Sequence, residues 1–257
     1  MRYKIISKLL FTAINLLVFT QISFGQLLKK EESKGYMPFV VIENFSSEGC
    51  SSCPEADRFL GEVIRRSDSA SQPVYVLDFH VDVWNKSGWV DKYSDSNYTR
   101  RQINYIGKQD GIPMYTPQSF LNGILSVPGS DRKSIGSFIQ KTLSKPSAHF
   151  LKTNAYQTNI DTVIVQFEVF GKIDSTVINF AILDNNIISK VTAGENAGKT
   201  LNHHNVVRVF KTELLVANKG HAYLVVPKGL NLKQTRIVTY VQNQNSWYVL
   251  AADQLVN

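Results

Sequence analysis

The chain has 257 residues, only two of which are cysteines, and its formal net charge is +7. The lysines and arginines are scattered along the sequence, whereas a nucleic-acid-binding face needs a dense basic patch, so we exclude nucleic acid as a partner. With the first 25 residues set aside, the length suits one large domain or two modest ones.

Residues 1–25 have the three parts of a secretory signal: a basic start, a nearly uncharged apolar run over residues 9–19, and small residues at Ser23 and Gly25. We therefore predict cleavage after Gly25 and an exported protein, either periplasmic or secreted. An uncleaved anchor is the alternative, but a span needs roughly 20 apolar residues and this run is shorter. We accordingly expect no stable membrane span after cleavage.

A strand–helix–strand unit follows a polar linker predicted over residues 26–37. The apolar run over residues 39–45 is typical of a strand buried on both faces. Apolar positions recur at helical spacing over residues 54–66, and a second buried strand is predicted over residues 74–81. This order predicts parallel strands joined by a right-handed crossover.

The next segment, residues 82–98, is irregular and rich in aromatic residues. A helix is predicted over residues 99–108, with Thr99 near its N-cap and with Ile103 and Ile106 facing the core.

A hairpin is predicted over residues 115–127, because Asn122-Gly123 is the strongest short hairpin signal. A last helix opens at Gly129-Ser130-Asp131. Residues 38–145 therefore have the predicted order β-α-β-α-β-β-α.

Beyond residues 144–147 the pattern changes to alternation of apolar and polar residues. Turn signals, among them Asp184-Asn185-Asn186, separate the short runs. The predicted strands are residues 163–169, 176–183, 206–210, 222–226, 235–241 and 247–250. Strands of this length and spacing indicate an antiparallel β-sandwich domain over residues 148–257.

The two cysteines stand two residues apart, at Cys50 and Cys53. Such a pair can exchange electrons as a dithiol or supply half of a metal site, and no second pair exists to complete a zinc site of four sulfurs. Export places the pair where disulfides persist. The start of the predicted helix would stabilise a Cys50 thiolate, whereas Glu48 would raise the pKa of that thiol if it came close.

The order of elements, the Cys-x-x-Cys pair and Thr116-Pro117 together resemble the thioredoxin fold. The resemblance implies that Cys50 is the exposed nucleophile and that Cys53 resolves the mixed disulfide. It also implies a cis Pro117 that faces the disulfide and leaves nearby backbone free to pair with an extended substrate.

A closer resemblance is to a family of secreted thioredoxin-like proteins filed as a domain of unknown function. The chain departs from that pattern at Glu55, where a second proline is common, and at Asn85, where an aspartate is usual. The family implies a fold and a dithiol but no established substrate. The matching segments are residues 48–57, 79–84, 88–89, 115–118, 194–200 and 204–208.

His80 ends the second predicted strand, at the sheet edge that also carries Cys50. Its role has three readings: a histidine hydrogen-bonded to the irregular segment, a proton acceptor or thiolate partner, or a Cu(I) ligand together with Cys50 and Cys53. His203 and His204 are interpreted as loop or interdomain residues.

The sequence thus predicts an exported thiol-disulfide oxidoreductase that acts on client protein thiols and disulfides and exchanges electrons with an unknown redox partner. The candidate site residues are Cys50, Cys53, Thr116, Pro117 and His80, and no cofactor is predicted. Two alternatives stay open: a non-enzymatic secreted binding protein with a structural disulfide, and a Cu(I) carrier.

Overall fold

The structure, a computed structural model, describes residues 35–109, 111–159 and 161–256. The predicted signal segment and most of the predicted linker lie outside these residues. Within the described part of the chain, no helix is both long and apolar enough to cross a bilayer. Residues from Met37 onward form one compact unit.

The first half of that unit alternates strands and helices. Its long helix starts at Cys53 with Pro54 in the first turn, where a missing N–H is tolerated, and it buries one apolar face. The elements are β1 (Val40–Ser46), α1 (Cys53–Ser69), β2 (Val74–His80), α2 (Ser96–Ile106), β3 (Gln118–Leu121), β4 (Leu125–Pro128) and α3 (Arg132–Leu143).

The second half consists of strands and one short 3₁₀ turn. The two central strands, β7 and β8, have 15 residues each and form a long hairpin. The strands are β5 (Phe150–Asn159), β6 (Thr162–Phe170), β7 (Thr176–Lys190), β8 (Thr200–Leu214), β9 (Lys219–Val225), β10 (Thr235–Asn243) and β11 (Val249–Val256).

Strands from both halves join in one eight-stranded sheet of order β11-β10-β7-β8-β2-β1-β3-β4. Strands β1 and β2 are parallel, and β8 pairs with β2 in parallel through Val206 and Asp78. A second sheet, of order β5-β6-β9, is antiparallel. The predicted division between residues 38–145 and 148–257 therefore does not coincide with a break between sheets.

The largest buried cluster contains residues from both halves. Phe45 of β1 and Phe79 of β2 stack with ring centroids 5.3 Å apart, and the same cluster includes Tyr105 of α2, Leu183 of β7 and Tyr240 of β10. Burial of a large apolar side chain contributes roughly 1.5–3 kcal/mol. Since the two halves share this cluster, each completes the hydrophobic core of the other.

Two further clusters cover the opposite face of the large sheet. Helices α1 and α3 pack on β1 through residues that include Ile42, Leu60 and Ile135. The three-stranded sheet packs on β7 and β10, with Val165 and Phe180 in the shared interior. The second half thus encloses its core between two sheets, one of which continues into the first half.

The inner face of α2 differs from the predicted one. The N-cap is Asp95, whose side chain accepts a hydrogen bond from the Asn97 backbone, so the prediction of Thr99 was wrong. Ile103 is 51% exposed, whereas Arg101 and Tyr105 are buried. The apolar pattern predicted the wrong inner face because this helix turns a charged side chain, that of Arg101, inward.

The long hairpin also differs from the prediction. Asp184-Asn185-Asn186 was interpreted as a turn, but it lies inside β7, where Asn186 pairs with His204 of β8. The connection between the two strands lies at residues 191–199. Strand β5 was not predicted at all.

A buried ion pair of the first half is surrounded by side chains of the second half. The guanidinium of Arg101 donates from Nε to Glu43 Oε2 (2.5 Å) and from an Nη atom to Glu43 Oε1 (2.8 Å). Tyr105 and Tyr240 also donate to Glu43. The guanidinium carbon lies 4.6 Å from the ring centroid of Phe210. Because every polar partner is supplied by the protein, removing one would leave a buried charge uncompensated.

We expect Arg101→Met to lower the free energy of unfolding by about 3–5 kcal/mol, since Glu43 would then stay buried without its cation. Arg132 forms a solvent-exposed pair with Glu62, so Arg132→Met is the matched control and should change stability by less than about 1 kcal/mol. Urea denaturation measures both. Equal effects of the two substitutions would contradict this account.

Candidate functional site

Cys50 and Cys53 are joined by a disulfide. Cys53 is the first residue of α1, and its backbone N–H donates to the Cys50 carbonyl at 3.2 Å, so Cys50 lies in the turn that leads into the helix. Both cysteines are only 1% exposed. The predicted pair is therefore formed, and its surroundings cover it.

Thr116 and Pro117 lie beside the disulfide, and the peptide bond between them is cis. The Thr116 carbonyl oxygen is 3.7 Å from Cys50 Sγ and accepts a hydrogen bond from Ser52 Oγ at 3.4 Å. A disulfide sulfur carries no proton, so Cys50 can donate to this oxygen only as a thiol. Trp84 Nε1 donates to Thr116 Oγ1 at 2.8 Å and fixes that side chain.

The connection between β7 and β8, residues 191–199, forms a covering loop over the cysteine turn. Asn196 is fully buried, and its side-chain amide donates to the carbonyls of Glu48 and Cys50, each at 2.9 Å. Glu195 accepts from the Ser51 backbone N–H at 3.0 Å. The second half of the chain thus supplies part of the wall around the disulfide.

His80 is fully buried between two carboxylates. Its Nδ1 lies 2.7 Å from Asp91 and its Nε2 lies 3.2 Å from Asp78. Burial disfavours the imidazolium, but the two carboxylates outweigh burial and raise the pKa of His80 well above its ordinary value. Asp91 belongs to the irregular segment before α2, so His80 is hydrogen-bonded to that segment.

His203, predicted to be a loop or interdomain residue, lies in β8 next to His80 and contacts the first half of the chain. The two rings are edge to face, with centroids 4.9 Å apart. His203 Nδ1 is 2.7 Å from Asp57 of α1, and its Nε2 is 3.5 Å from Glu48. Burial lowers the pKa of His203, but Asp57 and Glu48 more than offset this and raise it to about 9.

These groups form a buried polar cluster behind the disulfide. Glu48 and Asp57 are each less than a tenth exposed. Burial raises the pKa of Asp57. Burial also opposes ionisation of Glu48, but the nearby His203 imidazole, 3.5 Å away, holds the pKa of Glu48 below its usual value. The cluster consists of Glu48, Asp57, Asp78, His80, Asp91 and His203.

The fold and the site define a mixed α/β protein with a disulfide at a helix N-terminus and a buried cluster of carboxylates and imidazoles behind it. The chain belongs to the family described as "Protein of unknown function (DUF1223)", whose profile matches residues 41–242. The matched range includes both cysteines, the covering loop and every residue of the buried polar cluster. No curated protein matches the sequence.

The solved structures that match this chain include the following two. The crystal structure of a structural-genomics target protein from Agrobacterium tumefaciens is 23% identical, with a TM-score of 0.63, over 84% of this chain and 93% of that one. A domain of the outer membrane lipoprotein Omp28 from Porphyromonas gingivalis is 10% identical, with a TM-score of 0.28, over 43% of this chain and 88% of that one. The first likeness concerns the fold alone, and the second supports no argument.

The raised pKa of His203 predicts a pH-dependent stability. The folded value of about 9 lies above the ordinary value of 6.5, so the protonated ring, facing Asp57, Glu48 and His80, stabilises the fold fully below pH 6.5. That contribution, about 3 kcal/mol, is lost as the pH rises through 9.

We expect the free energy of unfolding of chelator-treated protein, measured by urea denaturation, to fall between pH 6 and pH 9.5. In His203→Gln the fall should be smaller by about 3 kcal/mol. The same substitution at the exposed His221 is the control and should leave the profile unchanged. Identical profiles for wild type and His203→Gln would contradict the assignment.

Proposed function

We propose that the protein is an exported thiol-disulfide oxidoreductase that exchanges electrons with protein thiols and disulfides through Cys50 and Cys53, on a thioredoxin-like first half. The observation that carries the proposal is the disulfide between the first residue of α1 and the turn before it, in contact with the Thr116 carbonyl. The unpaired N–H groups of a helix N-terminus stabilise a thiolate there.

In the reducing direction, the Cys50 thiolate attacks one sulfur of a substrate disulfide. A Cys50–substrate bond forms, the substrate disulfide breaks, and one substrate thiolate leaves. The Cys53 thiolate then attacks Cys50 Sγ, which closes the internal disulfide and releases the second substrate thiolate. Two electrons pass from the protein to the substrate, and the reverse sequence oxidises a dithiol.

The burial of both cysteines sets a condition on this reaction. A substrate sulfur must approach Cys50 in line, so some of the groups that bury Cys50 have to move aside, and we infer that the covering loop is among them. The loop is tied to the cysteine turn by the two hydrogen bonds of Asn196 and by the carboxylate of Glu195. Hydrogen bonds of this kind contribute about 0.5–1.5 kcal/mol each, so thermal motion is enough to open the covering loop.

Asn196→Ala removes two of these ties and should speed the reduction of the disulfide by dithiothreitol about tenfold, because the open state becomes more populated. The rate is read by alkylation and mass spectrometry at fixed times. Asn104→Ala, at an exposed position of α2, should leave the rate unchanged. Unchanged reduction of Asn196→Ala would show that the loop does not limit access.

Reduction of insulin by dithiothreitol tests the activity itself. The wild-type chain should accelerate the reaction, and Cys50→Ser should fall to the uncatalysed rate because no nucleophile remains. Ser69→Ala, at the exposed end of α1, should keep the wild-type rate. Cys53→Ser should accumulate mixed disulfides, since the resolving step is lost. Equal rates for wild type and Cys50→Ser would contradict the proposal and favour a structural disulfide.

A further inference from the structure

The proposed exchange reaction uses no residue of the buried polar cluster, which includes Asp78, His80 and His203. One nitrogen or oxygen ligand atom from each lies within 4.8 Å of the others, and all three side chains are buried. Asp78 and His80 end β2, and His203 comes from β8. The pairing of β8 with β2 is what brings them together.

Both imidazoles are oriented by a carboxylate on the same ring nitrogen. His80 Nδ1 is 2.7 Å from Asp91, and His203 Nδ1 is 2.7 Å from Asp57. In the neutral ring, a proton held on Nδ1 leaves the lone pair of Nε2 to bind an ion, so metal binding here must displace the Nε2 proton that the nearby carboxylates favour. Histidines that bind metal ions almost always have such an outer hydrogen bond, which fixes the tautomer and the direction of the ring.

The second observation is a set of buried polar atoms without hydrogen-bond partners. His203 Nε2 and Glu48 Oε1 each lack a hydrogen bond among the described residues, although they lie 3.5 Å apart. His203 is 1% exposed and Glu48 is fully buried. The two atoms face each other only as a long ion pair, and because buried polar atoms nearly always have a close partner, an ion bonded to both at about 2.0–2.1 Å would satisfy them.

We propose that Asp78, His80 and His203 bind one divalent transition-metal ion, with Glu48 as the fourth ligand. Two imidazoles with carboxylates form a donor set that suits Zn²⁺. His80 Nε2 and Asp78 Oδ2 are 3.2 Å apart, close to the separation of about 3.3 Å that tetrahedral bonds of about 2.0–2.1 Å require. The ligand atom of His203 lies within 4.8 Å of those two, so it must move inward to bind the same ion at a tetrahedral separation of about 3.3 Å.

This site does not include the disulfide, and it shares only His80 with the alternative Cu(I) site of Cys50, Cys53 and His80. Its ligands are nitrogen and oxygen atoms, and the cysteines stay available for exchange. All of its ligands are buried, as in structural metal sites. An ion there would join β2, β8 and the turn before α1, and would stabilise the fold by binding only the native state.

Calorimetric titration of the full chain with Zn²⁺, after chelator treatment and dialysis, tests the proposal. We expect about one ion per chain for wild type, with an affinity reduced at least 100-fold in His203→Gln and unchanged in His221→Gln. Asp57→Asn keeps all four ligands but weakens the outer hydrogen bond, so its affinity should fall about 10–100-fold. Absence of binding to the wild-type chain, or equal affinity in His203→Gln, would overturn the site.

Two further measurements keep the test decisive if a variant fails to fold. X-ray absorption of the zinc-loaded wild-type chain should show only nitrogen and oxygen neighbours, whereas a sulfur shell at about 2.3 Å would refute the site. A Cys50→Ser/Cys53→Ser double variant should bind Zn²⁺ as tightly as wild type. These results can therefore disprove the metal site without disproving the exchange activity, and the insulin assay can disprove the exchange activity without disproving the metal site.

Discussion

The structure depends on one long-range contact, the pairing of β8 with β2 beside Asp78 and Val206. It merges strands from the two halves of the chain into a single sheet and buries a common aromatic core. The same contact places His203 edge to face with His80 and puts the covering loop on the cysteine turn. The environment of the disulfide is therefore made by residues about 150 positions away in the sequence.

Local chemistry was enough to predict the elements around the cysteines. The continuous apolar run of β1, the helical spacing after Pro54 and the Asn122-Gly123 turn each specify one structure on their own, and each was found close to its predicted place. The cysteine spacing likewise pointed to a pair, and the structure joins Cys50 to Cys53. In these cases the sequence pattern and the packing agree.

The buried polar cluster could not be predicted in the same way. Asp184-Asn185-Asn186 has the composition of a turn, and interpreting it so ended β7 early and removed His203 from any strand. The Asp184-Asn185-Asn186 segment is a strand because it pairs across the hairpin, and the preferences of single residues do not encode that pairing. The inward position of Arg101 in α2 was not predicted either, because its partner Glu43 lies on a different element.

The central claim, that Cys50 and Cys53 form an exchangeable disulfide rather than a permanent clip, is tested most directly by its reduction potential. The chain is equilibrated in dithiothreitol and glutathione buffers of known potential, and the reduced fraction is read by alkylation and mass spectrometry. The account predicts a midpoint between about −270 and −120 mV, the range of dithiol catalysts. A midpoint below about −300 mV, where structural disulfides lie, would contradict it.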